Sequence, residues 1–531
     1  MSKEFNDTGS CNPHRHYMVD TFSKLGKIFE LIEKGKYFTI NRPRQFGKTT
    51  TMSLLTKQLN QRADYIALKI SFEGVGGVPF TNEQTFAPML LRLMGQSVKM
   101  VYPEMTRQLE QASQKIANFD ELSVFISDYV LQVNKKVVLL IDEVDKSSNN
   151  QIFLHFLGML RHKYLQRDDG EATFQSVILA GVHDIKTLKA KIRPTPPDSG
   201  GELKGGYNSP WNIAIDFKVD LSFSALEIES MLQDYSREQG IQPDIPAIAE
   251  RLYYYSSGYP YLVSKLCKFI DEDIMPARMD KTWTVAEVEA AFKLIVAGGY
   301  TTTLFESLVK NLENNEDLYD LVFQLIINGE QLNFIIDDPM INLAHLYGII
   351  SPSEQGKCQI HNRIFEQRLY SYMLSKFIRK KYSEVNRLGG PQFYTPDGLD
   401  LKLILQRFQA FMKEHYSERE AKFLEQEGRL LFLAYLRSII NGQGFDFKEP
   451  NVGDEQRMDV VITHQNKRYV LELKLWRGPK YHQVGLQQLS DYLDLYGLSE
   501  GYLLIYDFNK NKVYKDEQIP FKDKQIYAVW V

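Results

Sequence analysis

Short apolar segments alternate with helical segments over the first 200 residues. Four of these segments are rich in β-branched residues and show no polar alternation: YFTI, DYIALKISF, KKVVLLIDE and FQSVILAG. Strands buried on both faces of a parallel sheet have this pattern, because helices cover both faces. The stretches between them have helical spacing. We therefore predict a doubly wound α/β domain over residues 1–200.

The pattern changes near residue 200, where KIRPTPPDSGGELKGGYNSP is rich in Pro and Gly and predicts a loop. Residues 201–300 are mainly helical in pattern and predict a helical lid. Residues 301–385 add the hairpin pattern GIISPSEQGKCQIHNRIF to helices, which is typical of a winged-helix-like module. NRLGGPQFYTPDG predicts a linker, and residues 392–531 predict a second domain that opens with helices and turns to strands.

Composition narrows the classes of function. Hydrophobic residues make up 44% and charged residues 24% of the 531 positions, as in soluble globular proteins. The net charge of −4 provides no overall basic field, so nucleic-acid binding would need a local patch. Cys11, Cys267 and Cys358 are too far apart in sequence for a zinc module or a disulfide framework. No apolar run approaches the roughly 18 residues that span a bilayer, and we predict a cytoplasmic protein without membrane contact.

The segment NRPRQFGKTT lies between a predicted strand and a predicted helix. A phosphate-binding loop needs backbone N–H groups at a helix N-terminus, a lysine for the phosphates and a hydroxyl for Mg²⁺. Gly47, Lys48 and Thr49 supply these groups in order. Arg42 occupies the position of the usual first glycine, where a side chain is expected to strain the backbone.

An acidic pair ends the apolar strand KKVVLLIDE. There Asp142 can hold Mg²⁺ through water, and Glu143 can orient or deprotonate the attacking water. Together with the loop, this pair predicts ATP and Mg²⁺ as cofactors. The alternative is a structural turn followed by an acidic strand end.

NRPRQFGKTT resembles the phosphate loop of the bacterial AAA-ATPase-like proteins, close to the signal-transduction branch of AAA+ ATPases, where an Arg-Pro-Arg run often replaces the glycine. Other segments are similar to that family as well: CNPHRHYMVD, SVILAGVHD, NSPWNIAIDFKVDLSF and SGYPYLVSKLC. The resemblance implies a P-loop parallel-sheet ATPase core. It also implies that Gly258 and Pro260 belong to a lid motif whose proline packs near adenine. The alternative for SGYP is a turn between helices.

Two further sets of residues follow from this resemblance. His183 and Asp184 follow a core strand, where a phosphate sensor could lie, and a capping or loop role is the alternative. The lead-in CNPHRH would lie beside the nucleotide, or else form an ordered coil. Its residues Cys11, His14 and His16 are too closely spaced for a normal metal site.

The second informative stretch is RMDVVITHQNKRYVLELKLW, which predicts two strands joined by the turn HQNK. Asp459 begins the first strand, while Glu472 and Lys474 share one face of the second. Two carboxylates can hold Mg²⁺, and a lysine can position water or stabilise developing charge. A buried structural ion pair is the alternative, because Glu472 and Lys474, in and directly after the apolar segment VLEL, need a partner.

The spacing D-x₁₂-E-x-K resembles the PD-(D/E)XK nuclease superfamily. That resemblance implies a C-terminal α/β restriction-endonuclease-like domain. It also implies a further acidic ligand, Glu427, from the first helix, and the motif pair Gln488 and Tyr492 after the catalytic strands. Met458 stands before Asp459 where many members have proline.

Two basic clusters could track a nucleic-acid backbone. Lys376, Arg379, Lys380 and Lys381 lie in SKFIRKKYSEVNR, and Arg477, Lys480 and His482 lie in KLWRGPKYHQ. A solvated helix face is the alternative for the first cluster. DNA is favoured over RNA, and a homo-oligomer is compatible with the family.

These features predict an ATP-binding, ATP-hydrolysing protein that regulates a Mg²⁺-dependent nuclease domain. In the alternative, the protein is a signalling or interaction ATPase whose nuclease-like domain is a non-catalytic binding module.

Overall fold

A computed structural model describes residues 3–146, 150–182, 211–296, 302–328, 330–381, 391–396, 398–416, 421–440, 444–448, 459–464, 467–476, 478–507, 509 and 512–531. The chain forms two compact units. The front unit comprises Met1–Lys293 with Leu343–Ile349, and the rear unit comprises Leu294–Asn342 with Ile350–Val531. The predicted ATPase core and lid thus share the front unit, and the other two predicted domains fall mainly in the rear unit.

The helices and strands that begin in the front unit are α1 (Phe22–Glu33), β1 (Phe38–Asn41), α2 (Lys48–Gln61), β2 (Tyr65–Ser71), α3 (Glu83–Val98), α4 (Pro103–Ala112), α5 (Phe119–Val133), β3 (Lys136–Asp142), α6 (Gln151–Leu165), β4 (Ser176–Gly181), α7 (Ala225–Gln239), α8 (Ile245–Ser256), α9 (Pro260–Lys268) and α10 (Val285–Val296). The four predicted strands are confirmed. They form a parallel sheet in the order β1-β4-β3-β2.

The front core continues past the predicted boundary at residue 200. Ile215 forms a parallel bridge with Phe38 and donates its backbone N–H to the Tyr37 carbonyl at 2.9 Å. Trp211 is buried in the same core, and its indole N–H donates to the Thr39 hydroxyl at 3.0 Å. The chain therefore returns to the sheet after 183–210. The predicted loop at 191–210, His183 and Asp184 lie outside the described residues.

The predicted lid helices are confirmed, with the local signals that the sequence carries. Ser224 caps α7 through a capping box with Glu227, which satisfies two backbone donors at the helix start. Gly240 ends α7 in the left-handed conformation with φ 68°, which glycine adopts without steric penalty. Ser257 and Gly258 form the left-handed turn between α8 and α9.

The helices and strands that begin in the rear unit are α11 (Thr303–Glu313), α12 (Glu316–Phe323), α13 (Pro339–Leu346), β5 (Ile350–Pro352), β6 (Cys358–Ile360), α14 (Arg363–Lys381), β7 (Tyr394–Thr395), β8 (Gly398–Leu399), α15 (Leu401–Tyr416), α16 (Ala421–Ile440), β9 (Gly444–Lys448), β10 (Asp459–His464), β11 (Lys467–Leu475), α17 (Pro479–Leu495), β12 (Glu500–Tyr506), β13 (Asp516–Phe521) and β14 (Lys524–Trp530). The predicted hairpin is confirmed as β5 and β6. The predicted linker is partly wrong, because its second half forms the short hairpin β7–β8.

A six-stranded mixed sheet in the order β13-β14-β12-β11-β10-β9 organises the rear unit. Helix α17 packs on one face, where Val470, Leu489 and Ile505 belong to one core. Helix α16 packs on the other face, because the Tyr506 hydroxyl, one residue beyond Ile505, donates to the Gly428 carbonyl at 2.8 Å. No helix within the described ranges is long and apolar enough to cross a membrane.

Candidate functional site

The phosphate-loop segment joins β1 to α2, and its left-handed backbone positions lie after residue 42. Within residues 42–47, Gln45 with φ 56° and Gly47 with φ 80° are the positions in the left-handed region. Gly47 is the N-cap of α2, so backbone N–H groups at the positive end of the helix follow it directly. Arg42 does not need the glycine conformation, and the expected strain at this position is wrong.

The Arg42 side chain braces the base of the loop. Its guanidinium donates to the Asn41 carbonyl at 2.8 Å and to the Val219 carbonyl at 2.9 Å. It also lies over the Phe217 ring, 5.4 Å from the centroid. The arginine therefore connects the end of β1 to the segment that returns to the sheet, a contact that glycine could not make.

The Lys48 ammonium group is buried inside the loop. Its Nζ donates to the carbonyls of Arg42 and Pro43, both at 2.8 Å. Burial lowers the pKa of Lys48, and the carboxylates of the acidic cluster beside it act in the opposite direction. The ammonium group is thus bonded to loop carbonyls near negative carboxylates, and an anionic ligand would find a desolvated cation there.

The predicted acidic pair lies at the end of β3. Asp142 is buried and accepts the backbone N–H of Glu143 at 3.0 Å. Glu143 takes a left-handed φ of 56°, an unusual conformation for glutamate that often marks a functional position. Burial and the Asp142 charge raise the pKa of Glu143, while Lys48 acts against them. A carboxyl group with a raised pKa is better suited to accept a proton near neutral pH.

Asp145 also belongs to this cluster, and the sequence reasoning missed it. Burial lowers the pKa of Lys48, and among the carboxylates the charge of Asp145 raises it the most. Its carboxylate accepts the Val182 backbone N–H at 2.7 Å, and a Cβ on Gly181 would lie 2.9 Å from its Oδ1. A third acid three residues after Asp142, just past an apolar strand, was the available signal.

The lid reaches the loop through the SGYP turn. A Cβ on Gly47 would lie 3.9 Å from Pro260 Cγ, so the predicted proline lies beside the loop glycine. The Tyr259 hydroxyl donates to the Arg44 carbonyl, and its ring meets Phe46 edge-on at 4.8 Å. Gly258 has φ 69°, and a Cβ there would lie 1.8 Å from the Phe223 carbonyl oxygen. The turn therefore has a loop-contacting role beyond joining two helices.

Gly348 is a second contact that the sequence reasoning missed. It belongs to the front unit although the sequence places it in the winged-helix-like module. A Cβ on Gly348 would lie 2.4 Å from Pro43 Cγ, and its φ is 70°. Glycine thus lets the backbone approach the phosphate loop closely.

A cavity lies beside the loop. The N-terminal segment lines part of it with Asn6, Asp7, Thr8, Gly9, Cys11, Tyr17, Met18 and Val19. The loop, α2 and α9 line the rest with Gln45, Phe46, Gly47, Thr50 and Pro260. The Cys11 backbone N–H donates to the Thr50 hydroxyl at 3.1 Å. His16 accepts the Asn12 N–H at 2.9 Å, and burial lowers its pKa. The lead-in therefore lines a cavity at the loop. In the described residues, no three His, Cys, Asp or Glu side chains form a metal cluster.

The donor set fits a magnesium nucleotide. Thr49 is the second residue of α2, and Asp142 is the last residue of the apolar strand β3 in the same sheet as β1. Hydroxyl and carboxylate oxygens are the ligands that Mg²⁺ prefers, and Lys48 provides the cation for phosphate oxygens. The front unit thus gathers Gly47, Lys48, Thr49, Asp142, Glu143 and Pro260 around one loop.

The second candidate site lies in the rear sheet. Strands β10 and β11 pair antiparallel, with Asp459 directly opposite Glu472. Lys474 Nζ lies 2.9 Å from Glu472 Oε1 and donates to Gln488 Oε1 at 2.7 Å. Glu472 is 1% exposed and the Lys474 side chain 13% exposed, so the acid is buried and the lysine mostly so beside α17. The strand register places Asp459 opposite Glu472, and Lys474 contacts both Glu472 and Gln488, whereas the catalytic roles of these residues stay predictions.

Two predicted ligands are defined by their backbone alone. Glu427 lies in α16, and its neighbour Gly428 contacts Tyr506 at the end of β12. This end of β12 lies beside Leu475, so the Glu427 backbone is at the same end of the sheet as Lys474 but on the opposite face. The side chains of Glu427 and Asp459 lie outside the description, and their roles as ligands stay predictions.

Two residues of α17 have structural roles that the sequence analysis did not assign. Tyr492 is buried in the core against the sheet, where it has a packing role. Gly485 was missed: a Cβ there would lie 3.2 Å from Lys474 Cε. Its lack of a side chain leaves room for the lysine stem, so Gly485 is a positioning residue for Lys474.

The residues of the two basic clusters have different environments in the structure. Lys376 lies over the Tyr319 ring at 4.5 Å and donates to the Tyr372 hydroxyl, which gives it a packing role. His482 packs between the rings of Trp476 and Trp530, at 5.6 and 5.7 Å, and burial lowers its pKa. Lys480 is exposed in the first turn of α17. The side chains of Arg379, Lys380 and Lys381, together with Arg477 and Met458, lie outside the described part.

Residues 15–367 match the family model described as an AAA-like domain. The fold is similar to that of the Walker-type ATPase of Pyrococcus abyssi, at 12% identity and a TM-score of 0.46 over 69% of this chain and 99% of that chain. It is also similar to the Aeropyrum pernix ORC2 protein, at 11% identity and a TM-score of 0.38 over 72% and 98% of the two chains. The Thermotoga maritima RuvB branch migration motor is similar at 13% identity and a TM-score of 0.34, over 67% and 95%. No curated protein sequence matches the chain.

Proposed function

Because the chain belongs to the AAA-like domain family, we propose that it binds ATP with Mg²⁺ and hydrolyses the nucleotide at the loop around Lys48. The observation that carries this proposal is the Lys48 ammonium group, which is buried at the N-terminus of α2 beside the acidic cluster Asp142, Glu143 and Asp145. A desolvated cation together with the N–H groups of a helix N-terminus binds phosphate oxygens strongly.

The residues of the loop divide the work of hydrolysis among them. The N–H groups after Gly47 and the Lys48 ammonium bind and orient the phosphates, with Lys48 exchanging loop carbonyls for phosphate oxygens. The Thr49 hydroxyl and the Asp142 carboxylate would hold Mg²⁺, which supplies charge neutralisation when bound. Glu143 accepts the proton of the attacking water, a role that its raised pKa suits. Pro260 and the N-terminal segment line the cavity beside the loop, where the nucleobase would lie.

We also propose that the rear sheet cuts phosphodiester bonds in nucleic acid with Mg²⁺, under control of ATP binding in the front unit. The supporting observation is the register of Asp459 opposite Glu472, with Lys474 held by Glu472 and Gln488. Asp459 and Glu472, which face each other across the strand pair, would hold the metal, and their carboxylate oxygens suit Mg²⁺. Lys474 positions water or stabilises charge on the phosphate, and Gln488 orients Lys474.

A second candidate role for the rear unit is a non-catalytic binding module. The observation that favours it is the short Glu472–Lys474 contact, because a buried ion pair can also be purely structural. A DNA substrate, a homo-oligomeric assembly and a cytoplasmic location stay predictions.

Paired variants test the two activities separately. We expect Lys48→Ala to lower the ATPase rate at least about 100-fold, as the loss of a charged stabilising group does. Lys57→Ala is the matched control, because Lys57 is an exposed lysine of the same helix. ATPase rates of Lys48→Ala equal to those of wild type would refute the first proposal.

For the rear unit, Lys474→Ala should lower Mg²⁺-dependent cleavage of plasmid or single-stranded DNA at least about 100-fold while leaving the ATPase rate intact. The exposed lysine of the same strand supplies the control Lys467→Ala. Equal cleavage by wild type and Lys474→Ala, or no cleavage by wild type with ATP and Mg²⁺, would favour the binding module.

A further inference from the structure

We propose that aromatic rings beside Lys474 bind the face of an unpaired nucleobase, so that the rear site takes single-stranded nucleic acid. We call the patch formed by Trp476, Tyr481 and Val484 the aromatic patch. The inference rests on the nucleic-acid function proposed for the rear site and specifies its substrate class.

The central ring of the aromatic patch is close to the proposed reaction centre. Tyr481 lies in the first turn of α17 and is 39% exposed. Lys474 Nζ lies 5.8 Å from the centroid of its ring. Lys474 is itself fixed by contacts with Glu472 and Gln488. A base on Tyr481 would therefore place its own phosphate within reach of the lysine.

Trp476, the second ring of the patch, is held by its neighbours. Trp476 follows Lys474 by two residues and donates its backbone N–H to the Tyr506 carbonyl at 2.8 Å. Its ring packs against His482 at 5.6 Å and against Trp530 at 6.4 Å. Val484, one turn after Tyr481, is 40% exposed. A ring held in place in this way, as that of Trp476 is, loses little conformational entropy when it binds a flat partner.

Charge at the patch suits a polynucleotide rather than an apolar peptide. Lys480 is exposed beside Tyr481 at the positive end of α17, a helix of 17 residues. Basic groups interleaved with aromatic rings are the combination that follows a single strand, since cations meet phosphates and rings meet bases.

The geometry of nucleic acids decides between single and double strands. In a duplex the base faces are covered by neighbouring base pairs, and a ring at the surface reaches only edges and backbone. An unpaired strand offers its faces, and one stacked base strengthens binding about 5- to 150-fold. Unpaired DNA and unpaired RNA both offer base faces, so the patch is expected to bind an unpaired strand of either kind. The experiment below compares DNA with RNA.

The test measures binding by the full chain without divalent metal, using fluorescence anisotropy of labelled 20-nucleotide DNA, RNA and blunt duplex DNA. We expect tighter binding of a single strand than of duplex, and about 5- to 150-fold weaker single-strand binding by Tyr481→Ala. Tyr481→Phe should bind like wild type, because the ring face is kept. Tyr253→Ala is the matched control, since Tyr253 is 41% exposed on α8. Melting curves should coincide for all variants.

The outcomes separate this inference from the nuclease proposal. Single-strand affinity that does not change in Tyr481→Ala, or duplex affinity equal to that of single strands, overturns the inference even if Mg²⁺ supports duplex cleavage. Tyr481-dependent binding supports it, and cleavage assays of the same samples with Mg²⁺ then decide separately whether the site cuts.

Discussion

The turn at Gly258 allows a sharp test of whether the contacts between the α8–α9 turn and the phosphate loop support nucleotide binding. A Cβ at this position would lie 1.8 Å from the Phe223 carbonyl oxygen and 2.8 Å from the Phe223 backbone nitrogen. Both are backbone atoms, so no side-chain rotation can relieve the clash. The Phe223 N–H also donates to the Gly258 carbonyl at 2.8 Å. The Gly258→Ala variant must therefore separate the two segments.

The magnitude follows from three contributions. An alanine at φ 69° costs about 1–2 kcal/mol for the left-handed backbone. Overpacking against fixed backbone adds about 1–3 kcal/mol, and the strained hydrogen bond adds about 1 kcal/mol. We expect Gly258→Ala to lose about 3–6 kcal/mol of unfolding free energy in the front unit, a large share of typical stability.

The same displacement should weaken nucleotide binding. Tyr259 and Pro260 follow Gly258 directly and contact the loop at the Arg44 carbonyl and beside Gly47. We therefore expect lower affinity for a fluorescent ATP analogue, measured by titration, together with a lower melting temperature by circular dichroism.

Gly240→Ala is the matched control for this experiment. Gly240 has φ 68° in the same lid, but a Cβ added there would meet no atom within 4 Å. The variant should lose only the backbone contribution of about 1–2 kcal/mol and keep the affinity for ATP. Equal melting temperatures for the two variants, with unchanged affinity for ATP in both, would refute the steric reasoning.

Three further outcomes are expected. Glu143→Gln should bind ATP but not hydrolyse it. Because the pKa of Glu143 is raised above 4.5, the wild-type ATPase rate should begin to fall at a higher pH than protonation of an ordinary carboxylate would predict. Hydrolysis by the variant, or a wild-type rate that does not change in acid, would contradict this. Asp7→Asn should lower the melting temperature at pH 7, because burial raises the pKa of Asp7 but the hydrogen bonds and charges of Lys265 and Lys268 outweigh it and lower the pKa. This stabilisation is lost as the pH falls through the folded pKa of Asp7, which lies below 3.8. A difference in melting temperature that persists in strong acid would contradict the argument. Gly485→Val should displace Lys474 and reduce cleavage without altering ATPase activity, whereas Gly158→Val, at a helical glycine with open space, should leave cleavage unchanged.

Much of the fold could be predicted because it is recorded in local patterns. The four strands of the front sheet, the capped helix α7 and the hairpin β5–β6 each depend on neighbouring residues. The D-x₁₂-E-x-K register was also predictable, since the antiparallel pairing of β10 with β11 sets Asp459 opposite Glu472. The boundary at residue 200 was not, because Ile215 returns to pair with Phe38 after a long intervening segment.

Site residues divide along the same line. Lys48 and Glu143 were visible because the loop and the strand end are continuous segments with characteristic chemistry. Gly348 was not, since its requirement for glycine arises from Pro43, far away in the sequence. Asp145 was adjacent to a recognised motif, yet only its contact with Val182 and its charge near Lys48 distinguish it from a solvent-exposed acid.

The sequence by itself determined the elements and their chemistry: a strand, loop and helix around Gly47, an acidic strand end, and a hairpin bearing Glu472 and Lys474. Hydrogen bonding and side-chain periodicity act between near neighbours, so a linear pattern records them. Tertiary structure alone decided why Arg42 can replace glycine and how Gln488 holds Lys474. Such contacts depend on which distant surfaces exclude water together and where their atoms collide, and no local pattern specifies that.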